Sequence, residues 1–163
     1  MTIDLSRLTF RPDEKTAAAF RAAWRWLTPD DATPILCSIL GDVFLGRANG
    51  AVLWLDTGRG KLEPAADNAE QFHAALASDQ AAEWLIPPLV ESARRAGKIP
   101  GPGQCYGFKR LPIFAEGRYE AGNLAVITAS EYLSFTGDIH HQIASIPDGQ
   151  KVEIKLQPPP ALT

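Results

Sequence analysis

Cysteine and histidine are the residues in this sequence that could perform catalysis or bind a metal ion. Cys105 could act as a nucleophile if a base such as His140 lay beside it to remove the thiol proton. The adjacent His140 and His141 could ligate a metal or exchange protons near neutral pH. Catalysis by the cysteine requires the fold to bring its sulfur within about 3–4 Å of a histidine.

The spacing of these residues argues against both uses. Adjacent residues on a helix point about 100° apart, whereas a helical metal-binding pair needs a separation of three or four positions. His73 has no partner nearby in the sequence, and Cys37 and Cys105 match no zinc-binding spacing. No protease signature surrounds Cys105, and a free cysteine is usually a buried apolar side chain. We therefore predict no catalytic residue, no metal ligand and no cofactor.

The composition disfavours nucleic-acid and membrane partners. The 163 residues carry a net charge of −3, whereas a nucleic-acid-binding protein needs a basic surface. No run approaches the roughly 20 apolar residues of a membrane span, and no signal peptide is evident at the start. We expect a cytoplasmic protein with both thiols reduced, and the sequence does not predict its oligomeric state.

Helical periodicity is clear in residues 12–27, where Pro12 suits the first helical position. Trp24 and Trp26 would then lie about 200° apart around the helix, so one of them would be exposed. Exposed aromatic side chains often anchor protein interfaces, which makes Trp26 a candidate partner-binding residue. Residues 35–40 are apolar and fit a short helix or a strand.

A three-stranded antiparallel meander is predicted next. The dipeptide Asn49-Gly50 favours a two-residue type I′ turn, which needs positive φ at both positions. This turn would join strands near 42–47 and 51–56, and a glycine-rich turn would lead into a third strand near 61–65.

Helices and strands alternate in the remainder of the chain. Asn68 has the spacing of a helix N-cap, Pro87-Pro88 should interrupt a second helix that starts near residue 80, and Gly97 suits a C-terminal cap. The other predicted elements are a strand near 124–127, a helix capped by Thr128 whose inner face holds Tyr132, Phe135, Ile139, Ile143 and Ile146, and a strand over 151–156.

These elements predict an α+β fold in which an antiparallel sheet packs against several helices. We expect a single domain over residues 1–163 with two lobes. The N-terminal lobe, 1–97, would hold the first helix, the meander and two helices. The C-terminal module, 98–163, would hold the remaining elements and the family motif described below.

The C-terminal module contains several short motifs of glycine, aromatic, proline and histidine residues. They are Gly103 to Lys109, Pro112, Asn123-Leu124, Gly137 to Ile143 and Ile146 to Gly149. With these motifs the module resembles the C-terminal domain of bacterial immunity proteins that are paired with DNase effectors of the type VI secretion system. The upstream residues 40–45 and 52–58 look like the segment that precedes this module, so the resemblance covers about 35–154 and corresponds to a short form of the family.

The resemblance implies a non-catalytic protein that binds a cognate toxin and blocks access to its substrate. A few anchoring side chains dominate such interfaces. The candidates in this sequence are Trp26, Tyr106, Lys109, His140 and His141. Two alternatives stay open: a scaffold or regulatory module unrelated to toxins, and an enzyme that uses Cys105 with His140 or His141.

Overall fold

The computed structural model describes residues 4–152 and confirms the α+β class. Within these residues the helices are α1 (Leu5–Leu8), α2 (Glu14–Trp24), α3 (Ala69–Leu76), α4 (Gln80–Leu85), α5 (Pro87–Arg95) and α6 (Ala129–Ile143). The strands are β1 (Thr9–Phe10), β2 (Thr33–Ser38), β3 (Val43–Gly46), β4 (Val52–Asp56), β5 (Lys61–Ala66), β6 (Gln104–Phe108) and β7 (Leu124–Thr128). The strand predicted over 151–156 extends outside the described part of the chain.

The larger sheet has five antiparallel strands in the order β1-β2-β3-β4-β5. It confirms the predicted meander, which forms β3 to β5, and adds two strands before it. The apolar residues 35–40, which fit either a short helix or a strand, contribute their first four residues to β2. Side chains alternate between the two faces, so Phe44 pairs with Trp54 on one face while Val43 pairs with Leu55 on the other.

Each face of this sheet contributes to a separate group of buried apolar side chains. Val43 and Leu55 belong with Phe20 and Trp24 of α2, and Leu133 of α6 completes that core. On the other face, the core includes Phe44 and Trp54 together with residues of α3, α4, α5 and the smaller sheet, β6-β7. The sheet is therefore covered on both faces, which explains why β3 is apolar at successive positions.

The first long helix is shorter than predicted at both ends. Asp13 is its N-cap, and the Asp13 carboxylate accepts a hydrogen bond from the Thr16 amide at 2.7 Å. The helix ends at Trp24, whose carbonyl accepts hydrogen bonds from the amide and the hydroxyl of Thr28. Trp26 consequently lies in a turn, so the predicted angle between Trp24 and Trp26 does not apply.

The hairpin between β3 and β4 differs from the predicted type I′ turn. Gly50 has φ of +90°, but Asn49 is not among the described residues with positive φ. The Arg47 amide donates to the Ala51 carbonyl, and the Gly50 amide donates to the Arg47 carbonyl, which makes a three-residue loop. Asp31 accepts from the Ala48 amide at 3.0 Å and thereby holds the first half of the loop.

The three central helices follow their predicted boundaries. Asn68 caps α3 by accepting from the Gln71 amide at 2.9 Å. Ile86 separates α4 from α5 in a left-handed conformation, with φ of 44°, and is the one non-glycine residue between 4 and 152 with positive φ. Gly97, with φ of +82°, ends α5 as predicted.

The last helix begins where predicted but without the expected side-chain cap. Thr128 makes no capping hydrogen bond, because it is the last residue of β7 and pairs with Gln104. The Ala129 amide instead donates to the carbonyl of Gly103. Further along α6, Gly137 lies against α2 so closely that a Cβ atom there would be 2.5 Å from the carbonyl oxygen of Ala23. No helix in residues 4–152 is both long and apolar enough to cross a bilayer.

The inner face predicted for α6 includes only part of the surface that this helix buries. Tyr132 and Ile139 belong to the larger core, as predicted, whereas Phe135, Ile143 and Ile146 are half-buried. A second buried stripe, formed by Leu133, Thr136, Gly137 and His140, was not predicted. The division into two lobes at residue 97 stays a prediction.

Candidate functional site

Four aromatic rings from the end of α2 and the end of α6 lie in contact, and we call them the aromatic stack. They follow one another in the order His140, Trp24, Trp26, His141. The ring centroids of Trp24 and Trp26 are 5.8 Å apart, and those of Trp26 and His141 are 4.9 Å apart with an interplanar angle of 5°. The fold thus brings together three of the five predicted partner-binding residues.

The inner half of the aromatic stack is closed to solvent. Trp24 is fully buried, and its Nε1–H donates to the carbonyl of Leu133 at 3.1 Å. His140 is 4% exposed, and its Nε2 lies 2.8 Å from the carbonyl oxygen of Thr57. Since a carbonyl only accepts, His140 carries a proton on Nε2. Burial lowers the pKa of His140, so the neutral ring is favoured.

The outer half of the aromatic stack reaches the surface. Trp26 is half-buried, and its Nε1–H donates to the carbonyl of Ala23 at 2.9 Å. His141 is exposed and lies parallel to the Trp26 ring. Because the indole donor is already satisfied, a partner can cover the Trp26 ring without leaving its N–H unpaired, while the imidazole nitrogens of His141 are available for a polar contact.

Tyr106 and Lys109 lie at another place, on and just after β6. Tyr106 is fully buried, and its hydroxyl donates to the carbonyl of Lys98. Its amide also donates to Ile39, which joins β6 to the end of β2. Lys109 is exposed. Tyr106 therefore holds two segments together, whereas Lys109 is available to a partner.

The two cysteines are buried in apolar surroundings. Burial raises the pKa of the Cys37 thiol to about 12 and raises that of Cys105 as well. In the described residues neither thiol is hydrogen-bonded to a histidine, and the His140 ring is instead bonded to the backbone at Thr57. Within the same residues no three His, Cys, Asp or Glu side chains form a possible metal site. The structure thus offers no activated thiolate for the enzyme alternative.

Sequence reasoning missed a pair of buried carboxyl groups beside Thr57. One oxygen of Asp42 accepts from the amide and the hydroxyl of Thr57 at 2.9 and 3.0 Å. Asp56 accepts from the amides of Gly58 and Arg59, and its other oxygen is 2.6 Å from Arg59 Nε. Burial is the main cause that raises the pKa of Asp42 well above its usual value, and the negative charge of the neighbouring Asp56 is the second cause. The sequence gives little signal for this pair, because Asp42 directly precedes β3 and Asp56 is the last residue of β4, positions where an aspartate is often exposed.

Thr57 connects these carboxyl groups to the aromatic stack. Its amide and hydroxyl face Asp42, while its carbonyl accepts the hydrogen bond from His140. Gly60 completes this corner, because any Cβ there would collide with the His140 ring. A single turn between β4 and β5 therefore supports polar groups on both faces of the sheet.

Comparison with known proteins supports the resemblance found in the sequence. Residues 66–140 match the family described as T6SS immunity protein Tdi1, C-terminal. The chain is also similar to a solved structure described as the crystal structure of Atu4351 from Agrobacterium tumefaciens, with a TM-score of 0.58 and 14% sequence identity. That similarity covers 80% of this chain and 66% of the other, just under two thirds of its length, and shows a shared fold. No curated protein matches this chain.

Proposed function

We propose, on the premise that residues 66–140 carry the C-terminal domain of type VI secretion immunity proteins, that this chain neutralises a secreted effector by binding it directly. The family match is the observation that carries the proposal. The effector would be of the DNase type, as the sequence resemblance implies. The chain would act in the cytoplasm without catalysis, by covering the surface through which the toxin reaches its substrate.

The outer half of the aromatic stack supports a role in this interface. Trp26 and His141 come from different parts of the chain, yet their rings are parallel and in contact at the surface. Aromatic side chains held in place before binding lose little conformational freedom when a partner covers them. In this proposal Trp26, His141 and Lys109 contact the effector. The buried His140 packs beneath the aromatic stack, and the buried Tyr106 fixes β6, the strand that precedes Lys109.

Co-expression with the protein encoded next to it in the genome tests the proposed function. Bacterial growth and co-purification are scored together. Restored growth with a stable complex supports an immunity protein. A complex with a protein that does not impair growth would favour the scaffold alternative. The absence of both rescue and a complex would contradict the proposal.

Substitution at the aromatic stack tests the proposed surface. Trp26→Ala should weaken effector binding by about 10- to 30-fold, the loss typical of an interface anchor, and His141→Ala should have a smaller effect. His73→Ala is the matched control, because His73 is an exposed histidine on α3. Affinity is measured by titration calorimetry on variants that keep the wild-type circular dichroism spectrum. Unchanged affinity for folded Trp26→Ala would remove this surface from the proposal.

A further inference from the structure

A groove runs along the face of the sheet opposite Trp24. It consists of two adjoining cavities of about 260 and 270 Å³, which share Trp54, Arg59, Glu83 and Trp84. One wall belongs to β4 and β5, and the other belongs to α4. Trp54, Trp84, Phe108 and Tyr119 give the groove flat aromatic walls.

The groove has more acidic than basic side chains. Four carboxyl groups line it, and the one cation in its lining is Arg59. Arg59 is already paired with Asp56 at 2.6 Å. The other three, Asp42, Glu63 and Glu83, take part in none of the ion pairs formed by residues 4–152. A cation entering the groove would therefore find three carboxyl groups that form no ion pair with Arg59.

Two buried polar groups in the groove lack complete hydrogen bonding. Trp54 is 8% exposed, and in the described residues its Nε1–H is the buried side-chain group without any partner. Asp42 is also 8% exposed, and Thr57 donates to only one of its oxygens. Native proteins rarely leave such groups unsatisfied, so a ligand that carries both donors and an acceptor would complete the hydrogen bonding at this site.

We propose that this groove binds an arginine side chain of the effector, an inference that rests on the proposed function. A guanidinium group is planar and weakly hydrated, so it can stack on the indole rings of Trp54 and Trp84. Its several N–H donors suit the carboxyl groups of Asp42 and Glu83. A backbone carbonyl of the same effector segment would accept the hydrogen bond that Trp54 Nε1–H lacks.

The groove and the aromatic stack would then be different parts of the recognition surface. The stack offers the flat face of an indole whose N–H is already satisfied, which suits an apolar partner surface. The groove offers unpaired carboxyl groups between aromatic walls, which suits one inserted cationic side chain. Charge complementarity of this kind selects the correct partner and rejects an otherwise similar surface that lacks the cation.

The groove is tested first without the effector, using ethylguanidinium as the probe. Each of the four tryptophans contributes one indole N–H signal in a nitrogen-15 correlation spectrum, and Trp54→Phe identifies that of Trp54. Ethylguanidinium should shift the Trp54 signal with saturation in the millimolar range, on the order expected for so small a ligand. The neutral isostere ethylurea should not. No saturable shift, or an equal shift with ethylurea, overturns a cation site.

Two further comparisons sharpen the probe experiment. Asp42→Asn should weaken ethylguanidinium binding by about tenfold or more, as expected when one partner of a buried charged contact is removed. Glu70→Gln removes an equal charge from an exposed position in the first turn of α3, and should leave binding unchanged. Equal binding of butylammonium would show that any positive charge suffices and would overturn the assignment to guanidinium.

The effector complex provides the second test. Asp42→Asn should weaken the complex by about tenfold or more, while Glu70→Gln should not, as long as neither variant melts below the wild type. A complex unaffected by Asp42→Asn overturns the arginine contact even if the probe binds. If the wild-type chain does not bind the effector at all, the proposed function fails, and the probe titration still decides whether the groove binds a guanidinium cation.

Discussion

Two tryptophans on opposite faces of the same sheet differ in how their indole groups are satisfied. Trp24, between α2 and α6, is completely buried and donates to Leu133. Trp54, in the groove beside α4, is almost as buried but has no acceptor in the described residues. The comparison teaches that burial alone does not distinguish a core tryptophan from one at a binding site. The two are distinguished by whether the indole N–H has a hydrogen-bond acceptor within the protein.

The same contrast applies to the ionisable groups on either side of Thr57. His140 donates to the Thr57 carbonyl and remains neutral because burial lowers its pKa. Asp42 accepts from the Thr57 amide, and burial raises its pKa. In both cases removal from water disfavours the charged form. Only the carboxyl group lies where a ligand of opposite charge could reverse that preference.

Replacing each tryptophan by phenylalanine is the strongest way to test this comparison. Trp24→Phe should lower the free energy of unfolding by about 2–3 kcal/mol, because it leaves a void and removes a satisfied hydrogen bond. Trp54→Phe should cost about 1 kcal/mol or less, since the lost contacts are partly offset by removing an unsatisfied donor. Urea denaturation measures both values. Equal losses would contradict the difference drawn between the two faces.

Replacing Asp42 by asparagine separates binding from stability on the groove side. Asp42→Asn should raise the free energy of unfolding at neutral pH by on the order of 1 kcal/mol, because an amide can keep the Thr57 contact without a buried charge. The folded-state pKa of Asp42 is raised, so the cost of its ionisation is present at neutral pH and disappears as pH falls below the unfolded-state pKa. The gain should therefore vanish in acid, as thermal melts across pH would show.

On the other face of the sheet, the contribution of His140 to the free energy of unfolding should depend on pH with the opposite sign. The folded-state pKa of His140 is lowered, so the unfolded chain binds a proton more readily. Stability should be greatest above the unfolded-state value near 6.5 and should fall as pH drops through that value toward the folded-state pKa. His140→Gln should flatten this part of the curve. An unchanged slope in that variant would assign the effect to another group.

The smallest effect is expected at the exposed end of the aromatic stack. His141→Ala should lower the free energy of unfolding by about 0.5 kcal/mol, since the ring contact with Trp26 lies at the surface. A double-mutant cycle with Trp26→Ala should give a coupling energy of about 0.5 kcal/mol, because the ring contact accounts for most of that loss. Zero coupling would mean that the two rings are adjacent without stabilising each other. His73→Ala is the control, and its effect should simply add to that of Trp26→Ala.

Local chemistry allowed much of the fold to be predicted from the sequence. Asn68, Pro87 and Gly97 act on the backbone within a few residues, so the boundaries of α3, α4 and α5 follow from them directly. The predicted meander likewise follows from short turns. The same reasoning failed at Asn49, where Asp31, 17 residues before Ala48, holds the loop in a different conformation.

The candidate site depended on contacts that no local pattern describes. Trp24 and His140 are far apart in the sequence, and their contact exists because Gly137 lets α6 approach α2 closely. Asp42 and Asp56 looked like ordinary residues at strand ends. Only the surrounding tertiary structure shows that both are buried beside Thr57. The sequence identified chemically distinctive residues but not which of them meet.

The left-handed residue Ile86 has a consequence for the affinity of the groove that it lines. A β-branched residue rarely adopts this conformation, and the following Pro87 has a fixed φ of its own. Ile86 is held in this conformation by hydrogen bonds, because its amide donates to the Ala82 carbonyl and its carbonyl accepts from the amides of Leu89 and Val90. The wall that carries Trp84 is consequently in place before any partner arrives, so little conformational entropy is lost on binding and more of the contact energy appears as affinity.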